Sequence, residues 1–339
     1  MSVRTGRVVV GYDASEHGRR AVLWGADEAA RRGDALMVVH AVDYRGLGLR
    51  GPAALAHAWA KAARDEGREI AAEGARIARL AVPEIVVDIS SGVGAPVRLL
   101  VRESQEADLL VLGAYGLGPQ APEMLSPVVE GVAGKACCPV VVIDGGESTR
   151  PGPERPIVVG VDGSAVALQA VDLAAVVAEA AGARLRIVSV WSRADGASSP
   201  VAMGPTEPAA MGPPERGGGT CLAVARGAVA EALAGVRAAR PAVEVEAIAL
   251  HGEATRVLTD QAAGAGLLVV GRRACPPPPG ALGPALGSVG RRMVRTSPCP
   301  VMFVGPAAIS PAISPPSPRP AGRNGRRGAL RGTPLGARG

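Results

Sequence analysis

The chain has 339 residues, long enough for two domains of ordinary size that each bury a core. Its formal net charge is +6, but residues 306–339 carry six arginines and no acidic residue, so the rest of the chain is neutral. A neutral body with three Trp, three Tyr and one Phe argues against a nucleic-acid binder that works through a basic face and base stacking.

No apolar run approaches the roughly 18 to 20 residues that span a bilayer, and no charged-then-apolar leader opens the chain. A cytoplasmic protein without membrane contact is therefore expected. The Arg/Pro/Gly-rich tail, 306–339, reads as a solvated, disordered end. The five cysteines (Cys137, Cys138, Cys221, Cys275, Cys299) form no C-x-x-C pair and no zinc spacing, which predicts reduced thiols. Adjacent Cys137 and Cys138 fit either a redox-sensing pair or the entry to a buried strand.

In chain order, short continuous apolar runs predict strands near 7–12, 36–42, 85–90, 108–113 and 139–143. Ala-rich periodic stretches near 16–32, 53–80, 96–106 and 127–136 predict helices between them. Strand alternating with helix makes a doubly wound α/β domain with a parallel sheet. The pattern then starts again. "VVVGYDAS" (8–15) matches "IVVGVDGS" (157–164), "GAPVRLL" (94–100) matches "GEATRVL" (252–258), "ADLLVLG" (107–113) matches "AGLLVVG" (265–271), and "CPVVVI" (138–143) matches "CPVMFV" (299–304).

Two tandem domains follow: 1–146 and 156–305, joined by a polar linker over 147–155 and followed by the tail. The polar stretch 192–219 reads as a mobile surface insertion inside the second copy.

In an open parallel sheet, ligands bind beyond the carboxyl ends of the strands where strand order reverses. Asp13 and Asp162 close the first strand of each copy, followed by Ser15 and by Gly163-Ser164. A carboxylate there can accept hydrogen bonds from a ribose or a base; equally, Ser with Asp nearby caps the next helix. The fourth strands end in Gly113-Ala-Tyr-Gly116 and Gly271-Arg-Arg-Ala274, where glycine lets backbone approach a phosphate. His40 sits at a strand end, either packed and hydrogen-bonded or facing the cleft.

These residues carry a resemblance. V-G-x-D-x-S after the first strand, G-x-x-x-x-L-L after the third, D-L-L-V-x-G at the fourth and C-P-V-V-V at the fifth resemble a tandem universal stress protein, covering nearly all of 7–304. The resemblance implies two five-stranded parallel-sheet domains of the adenine nucleotide α-hydrolase-like (HUP) type. It also implies pairing through the fifth strands, as an intrachain pseudo-dimer or a homodimer.

Nucleotide-binding members resemble one another in G-x-x-G, nine residues, then G-S or G-T, which holds ATP phosphates. The first copy keeps Gly113, Gly116 and the nine-residue spacing, then has Ser126-Pro127. Pro127 lacks the N–H and hydroxyl of the expected residue, and Ser126 replaces them only in part. The second copy keeps Gly287-Ser288, followed by Val289, but has Ala274 for the second glycine and twelve residues in between, among them Pro276–Pro279. Arg272 or Arg273 could add charge to a phosphate or be solvated. By the same resemblance, Ala41 and Val190 stand where an adenine contact is expected.

The resemblance implies a stress-response module that binds ATP or a related adenine nucleotide, with magnesium accompanying it and protein partners reading its surface. The second copy is the favoured site. The alternative is an interaction protein of the same fold without nucleotide. No G-x-S-x-G, Walker or H-E-x-x-H motif is present and nothing nominates a general base, so no enzyme is expected beyond slow, incidental ATP hydrolysis.

Overall fold

The computed structural model describes residues 6–43, 53–116, 125–144, 149–192, 217–272 and 286–306. The first copy runs β1 (Arg7–Gly11), α1 (Glu16–Arg32), β2 (Ala35–Val42), α2 (Ala53–Ala81), β3 (Val87–Val93), α3 (Pro96–Glu103), β4 (Leu109–Gly113), α4 (Pro127–Lys135) and β5 (Val140–Ile143). The second repeats it: β6 (Ile157–Val161), α5 (Ala165–Ala181), β7 (Leu185–Trp191), α6 (Gly217–Ala239), β8 (Val245–His251), α7 (Ala254–Gln261), β9 (Leu267–Gly271), α8 (Ser288–Thr296) and β10 (Val301–Val304).

All ten strands form one sheet in the order β3-β2-β1-β4-β5-β10-β9-β6-β7-β8. Every neighbouring pair is parallel except β5 with β10, which run antiparallel with Met302 opposite Val141. The order is a palindrome, as expected for two copies facing each other across their fifth strands. Apolar residues of α1, α2, α5 and α6 cover one face of the sheet, and those of α3, α4, α7 and α8 cover the other. Strands β4, β5, β9 and β10 lie at the centre, and nearly all their residues are buried. Their near-continuous Val/Leu/Ile composition follows from that burial on both faces.

Pairing through the fifth strands is therefore intrachain. A homodimer through those strands is corrected by the register: β5 lies between β4 and β10, and β10 between β5 and β9, so neither keeps a free edge for a second chain.

The expected 85–90 strand lies at Val87–Val93 instead. The apolar run Ile85-Val86-Val87 suggested an earlier strand, but pairing with β2 carries it through Ser90, Ser91 and Gly92. An edge strand tolerates those polar residues because one of its sides faces water.

The linker is docked rather than loose at its described end. The Arg150 guanidinium lies 4.9 Å from the Trp24 ring centroid, donates to the Trp24 carbonyl oxygen at 2.9 Å and pairs with Asp27 at 2.9 Å. Nearby, Glu28 is buried between Arg31 and Arg32. Burial opposes its charge, but the two guanidinium groups overcome that and hold the carboxyl below its ordinary range.

The expected insertion and tail lie largely outside the described residues; α6 begins at Gly217, inside the stretch expected to be loop. Cys138 is buried and precedes β5, and burial, then the neighbouring Cys137, push its thiol up to about 12. Of the two readings of this pair, its position fits the entry to a buried strand. No described helix is long and apolar enough to cross a membrane.

Candidate functional site

The chain leaves β1 for β2 on one side and returns to β4 on the other, so the crevice of the first copy opens between β1 and β4. The second opens between β6 and β9. Around the first, Asp13 Oδ1 accepts from the Ser15 amide at 3.0 Å and from its hydroxyl at 2.5 Å. The Ser15 hydroxyl oxygen in turn accepts from the Gly18 amide at 3.0 Å, which caps α1. Around the second, Asp162 Oδ1 accepts from the Ser164 amide at 3.0 Å, and Ser164 Oγ accepts from the Ala167 amide at 3.2 Å. The capping reading of these serines thus has direct geometry behind it.

Between aspartate and serine the backbone turns left-handed in both copies. Gly163 adopts φ 77°, and Ala14 adopts φ 63° in the same place. Only glycine enters that region without strain, so the first copy carries a strained alanine.

Gly113 and Gly271 end β4 and β9 at a close approach to the neighbouring helix. A Cβ on Gly113 would lie 2.5 Å from the His17 carbonyl carbon, and one on Gly271 would lie 3.1 Å from the Ala167 amide nitrogen. Gly113 is thus needed for strand-to-helix packing, whatever binds above, and Gly271 packs tightly against the start of α5. Gly116 brings the first loop against Asp13. His17 and Tyr115 meet edge to face there, with centroids 5.0 Å apart, so an aromatic pair stands at the first crossing point.

The helices that would receive phosphates differ most. At the N-terminus of α4, Ser126 Oγ accepts from the Val128 amide at 3.3 Å, Pro127 has no N–H, and Glu130 places a negative charge in the first turn. The Ser126 hydroxyl is thus engaged in capping. At the N-terminus of α8, Gly287 is the cap residue and supplies no side-chain acceptor, and the first turn holds no acidic residue. The first-turn amides, that of Val289 among them, keep the partial positive charge that attracts anions. Val289 and Gly287 are exposed there. The rest of that loop, including Ala274 and the four prolines, lies outside the described residues.

Ala41 and Val190 end β2 and β7 as expected; Ala41 pairs with Gly92, and Val190 pairs with Leu250 and packs against the core. His40 Nδ1 donates to the Tyr12 carbonyl oxygen at 2.7 Å, a packed strand residue.

Arg272 is neither a phosphate arm nor a solvated loop residue. It reaches into the first copy, where Nη1 donates to the Gly134 carbonyl oxygen at 2.6 Å and Nη2 to that of Ala136 at 2.5 Å. It therefore caps the C-terminus of α4 from across the β5–β10 seam, and burial pulls its guanidinium below the ordinary arginine range. Sequence reasoning missed this because Gly134 and Ala136 come near Arg272 only once the fifth strands pair. It also missed the Trp191–His251 ring pair at the ends of β7 and β8, 4.6 Å between centroids. Two rings at matched strand ends, in so aromatic-poor a chain, were the available signal.

Among the described residues no group of three or more His, Cys, Asp and Glu could hold a metal ion.

Comparison with known proteins gives a consistent picture. The model of the Universal stress protein family matches twice, over residues 5–144 and 154–305. Universal stress protein Rv2005c of Mycobacterium tuberculosis is 32% identical over 302 residues, covering 87% of this chain and 95% of its own. Universal stress protein Rv2623 of the same organism is 29% identical with the same coverage. The crystal structure of a universal stress protein from Archaeoglobus fulgidus superposes with a TM-score of 0.64 at 18% identity, over 89% of this chain and 99% of the other, which supports the fold alone. The chain belongs to the universal stress protein family, with two copies of its domain in tandem.

Proposed function

We propose that the protein is a stress-response module whose second copy binds ATP or a related adenine nucleotide, while the first copy serves as its structural partner. The observation that carries this reading is the contrast between α8 and α4: among the described residues the first turn of α8 has no side-chain cap and no acidic residue of its own, whereas that of α4 is capped by Ser126, lacks the Pro127 amide and holds Glu130. In this reading Gly287, Ser288 and the Val289 amide hold the phosphates. Asp162, Gly163 and Val190 line the nucleoside end, and magnesium arrives with the triphosphate. No residue is assigned to hydrolysis.

Thermal unfolding of the full chain with and without millimolar ATP and magnesium tests it, in the wild type and in Gly287→Pro. Gly287 has φ −63°, which proline accepts, so the variant removes an amide donor at a compatible φ. At a ligand concentration about a hundred times Kd the wild type gains about 2.7 kcal/mol, and the variant loses that gain.

A second reading, a nucleotide-free interaction protein of the same fold, is favoured by one observation: Ser15 and Ser164 both serve as helix caps. It predicts no shift in either protein at any ATP concentration.

A further inference from the structure

The seam between the copies has a pseudo-two-fold axis whose place the strand register gives. Val141 of β5 and Met302 of β10 are equivalent residues of the repeat, and they lie opposite each other in the antiparallel pair. A residue on such an axis meets its own equivalent, so in a pair of identical subunits it would meet itself.

On the α4 and α8 side of the sheet that meeting place is held by Glu130 and Arg291. Each is the fourth residue of its helix, and Arg291 Nη1 lies 3.7 Å from Glu130 Oε2. Opposite charges thus stand at one position of the repeat, an arrangement that two identical copies cannot offer.

A second tie is equally one-sided. Arg272 of the second copy donates to the Gly134 and Ala136 carbonyl oxygens of the first. The repeat has no counterpart of it: Ala114 stands in place of Arg272, and Arg295 and Ser297 stand in place of Gly134 and Ala136. Gly305 belongs to the same tie, because a Cβ there would run into the Arg272 guanidinium, and the first copy has Asp144 at that position.

The second copy therefore brings cations to the seam and the first brings acceptors. Two first copies set face to face would oppose Glu130 with Glu130 and leave the end of α4 without its guanidinium. Two second copies would oppose Arg291 with Arg291 and bring Arg272 to the helix end that carries Arg295. Like charges juxtaposed across an interface act against the wrong partner, whereas complementary ones fix the right one.

We infer that the seam is selective: through the Glu130–Arg291 pair and the Arg272 tie, each copy takes the other as its partner and refuses a second of its own kind. Any exchange of copies between chains is thereby limited to first-with-second pairing.

The test uses thermal unfolding of the full chain without nucleotide at low salt. Each single charge reversal recreates the axis of one refused pairing: Glu130→Arg sets Arg against Arg, and Arg291→Glu sets Glu against Glu. Each is expected to lower the midpoint by roughly 2 to 4 °C, and the double reversal Glu130→Arg/Arg291→Glu to return it to within about 1 °C of the wild type. Recovery in the double reversal also shows that neither substitution prevents folding by its shape. The neutral variant Glu130→Gln is expected to lose less than Glu130→Arg, which separates repulsion from the loss of a contact. Both groups are partly exposed, so about 1 M salt removes most of the difference. An unchanged midpoint in the single reversals, a loss in Glu130→Gln as large as in Glu130→Arg, or a double reversal that shows the sum of both losses overturns the inference.

Discussion

At the first crossing point Ser126 caps α4, Pro127 withholds an amide, and His17 and Tyr115 stand together beside Asp13. At the second, α8 starts on an uncapped Gly287 and continues through Arg291, Arg292 and Arg295 with no carboxylate in its first turn. Capping and anion binding compete for the same first-turn amides, because each helix has only about four to offer. A copy that satisfies them internally gains local stability and gives up the ligand; a copy that leaves them open depends on an anion. On the reading proposed above, the tandem arrangement lets one chain do both, since β5 and β10 join the copies into one sheet.

The largest expected effect concerns the asymmetric tie between the copies. Arg272 in the second copy holds the end of α4, and Ala114 occupies the equivalent place in the first. Arg272→Ala leaves two helix-end carbonyls without their donor and destabilises the chain by about 3 kcal/mol in denaturant unfolding. A loss under about 1 kcal/mol would mean that the guanidinium is not a structural bridge.

Next comes the ligand itself. Ser288→Pro gives α8 the proline that α4 carries at the same helical position, and is expected to remove the ATP-dependent rise in midpoint, roughly 5 to 10 °C in the wild type at saturation. Reciprocally, Ser126→Ala, which removes the cap of α4 in the first copy, leaves that rise unchanged. A rise that survives Ser288→Pro but not a change in the first copy reverses the assignment.

The left-handed turn sharpens the comparison at smaller scale. Ala14→Gly relieves strain and stabilises by about 1 kcal/mol, and Gly163→Ala in the matching turn destabilises by about as much. A Cβ on Gly163 meets Ala228 only at ordinary contact distance, 3.6 Å, so backbone strain accounts for the second effect. Paired thermal scans of the two variants, read for opposite signs, check both.

The smallest effect is on pH. Glu28 lies in α1, where α5 has Val177, and its carboxyl is held below the ordinary range. Its contribution is therefore present above the unfolded carboxylate value of about 4.3 and is lost as pH falls through the depressed folded value. Asp34 is raised, chiefly by burial, so protonation on acidification favours the folded state there and offsets part of the loss. Glu28→Gln is expected to flatten the acid limb of the stability curve, measured by denaturant unfolding between pH 7 and 3.

Much of the architecture could be read from the residues because buried parallel strands impose continuous apolar runs; β1, β2, β4 and β5 lie within one residue of expectation at each end. Strand β3 is displaced because its position depends on pairing at an edge, where solvent tolerates Ser90 and Ser91. The positions of Asp13, Ser15, Asp162 and Ser164 were also legible, since caps are local chemistry. What could not be read were contacts between residues far apart in the chain: Arg272 on α4, Arg150 on Trp24, and Trp191 against His251. The same lone arginine suits a phosphate, a carbonyl pair or an indole face, and only the packed neighbours decide which.

On the reading proposed above one copy, the second, takes the nucleotide. The most direct test is the number of ATP molecules bound per chain, counted by calorimetric titration with magnesium. One per wild-type chain and none in Ser288→Pro are expected. Two per chain, or one that persists in Ser288→Pro, would contradict it.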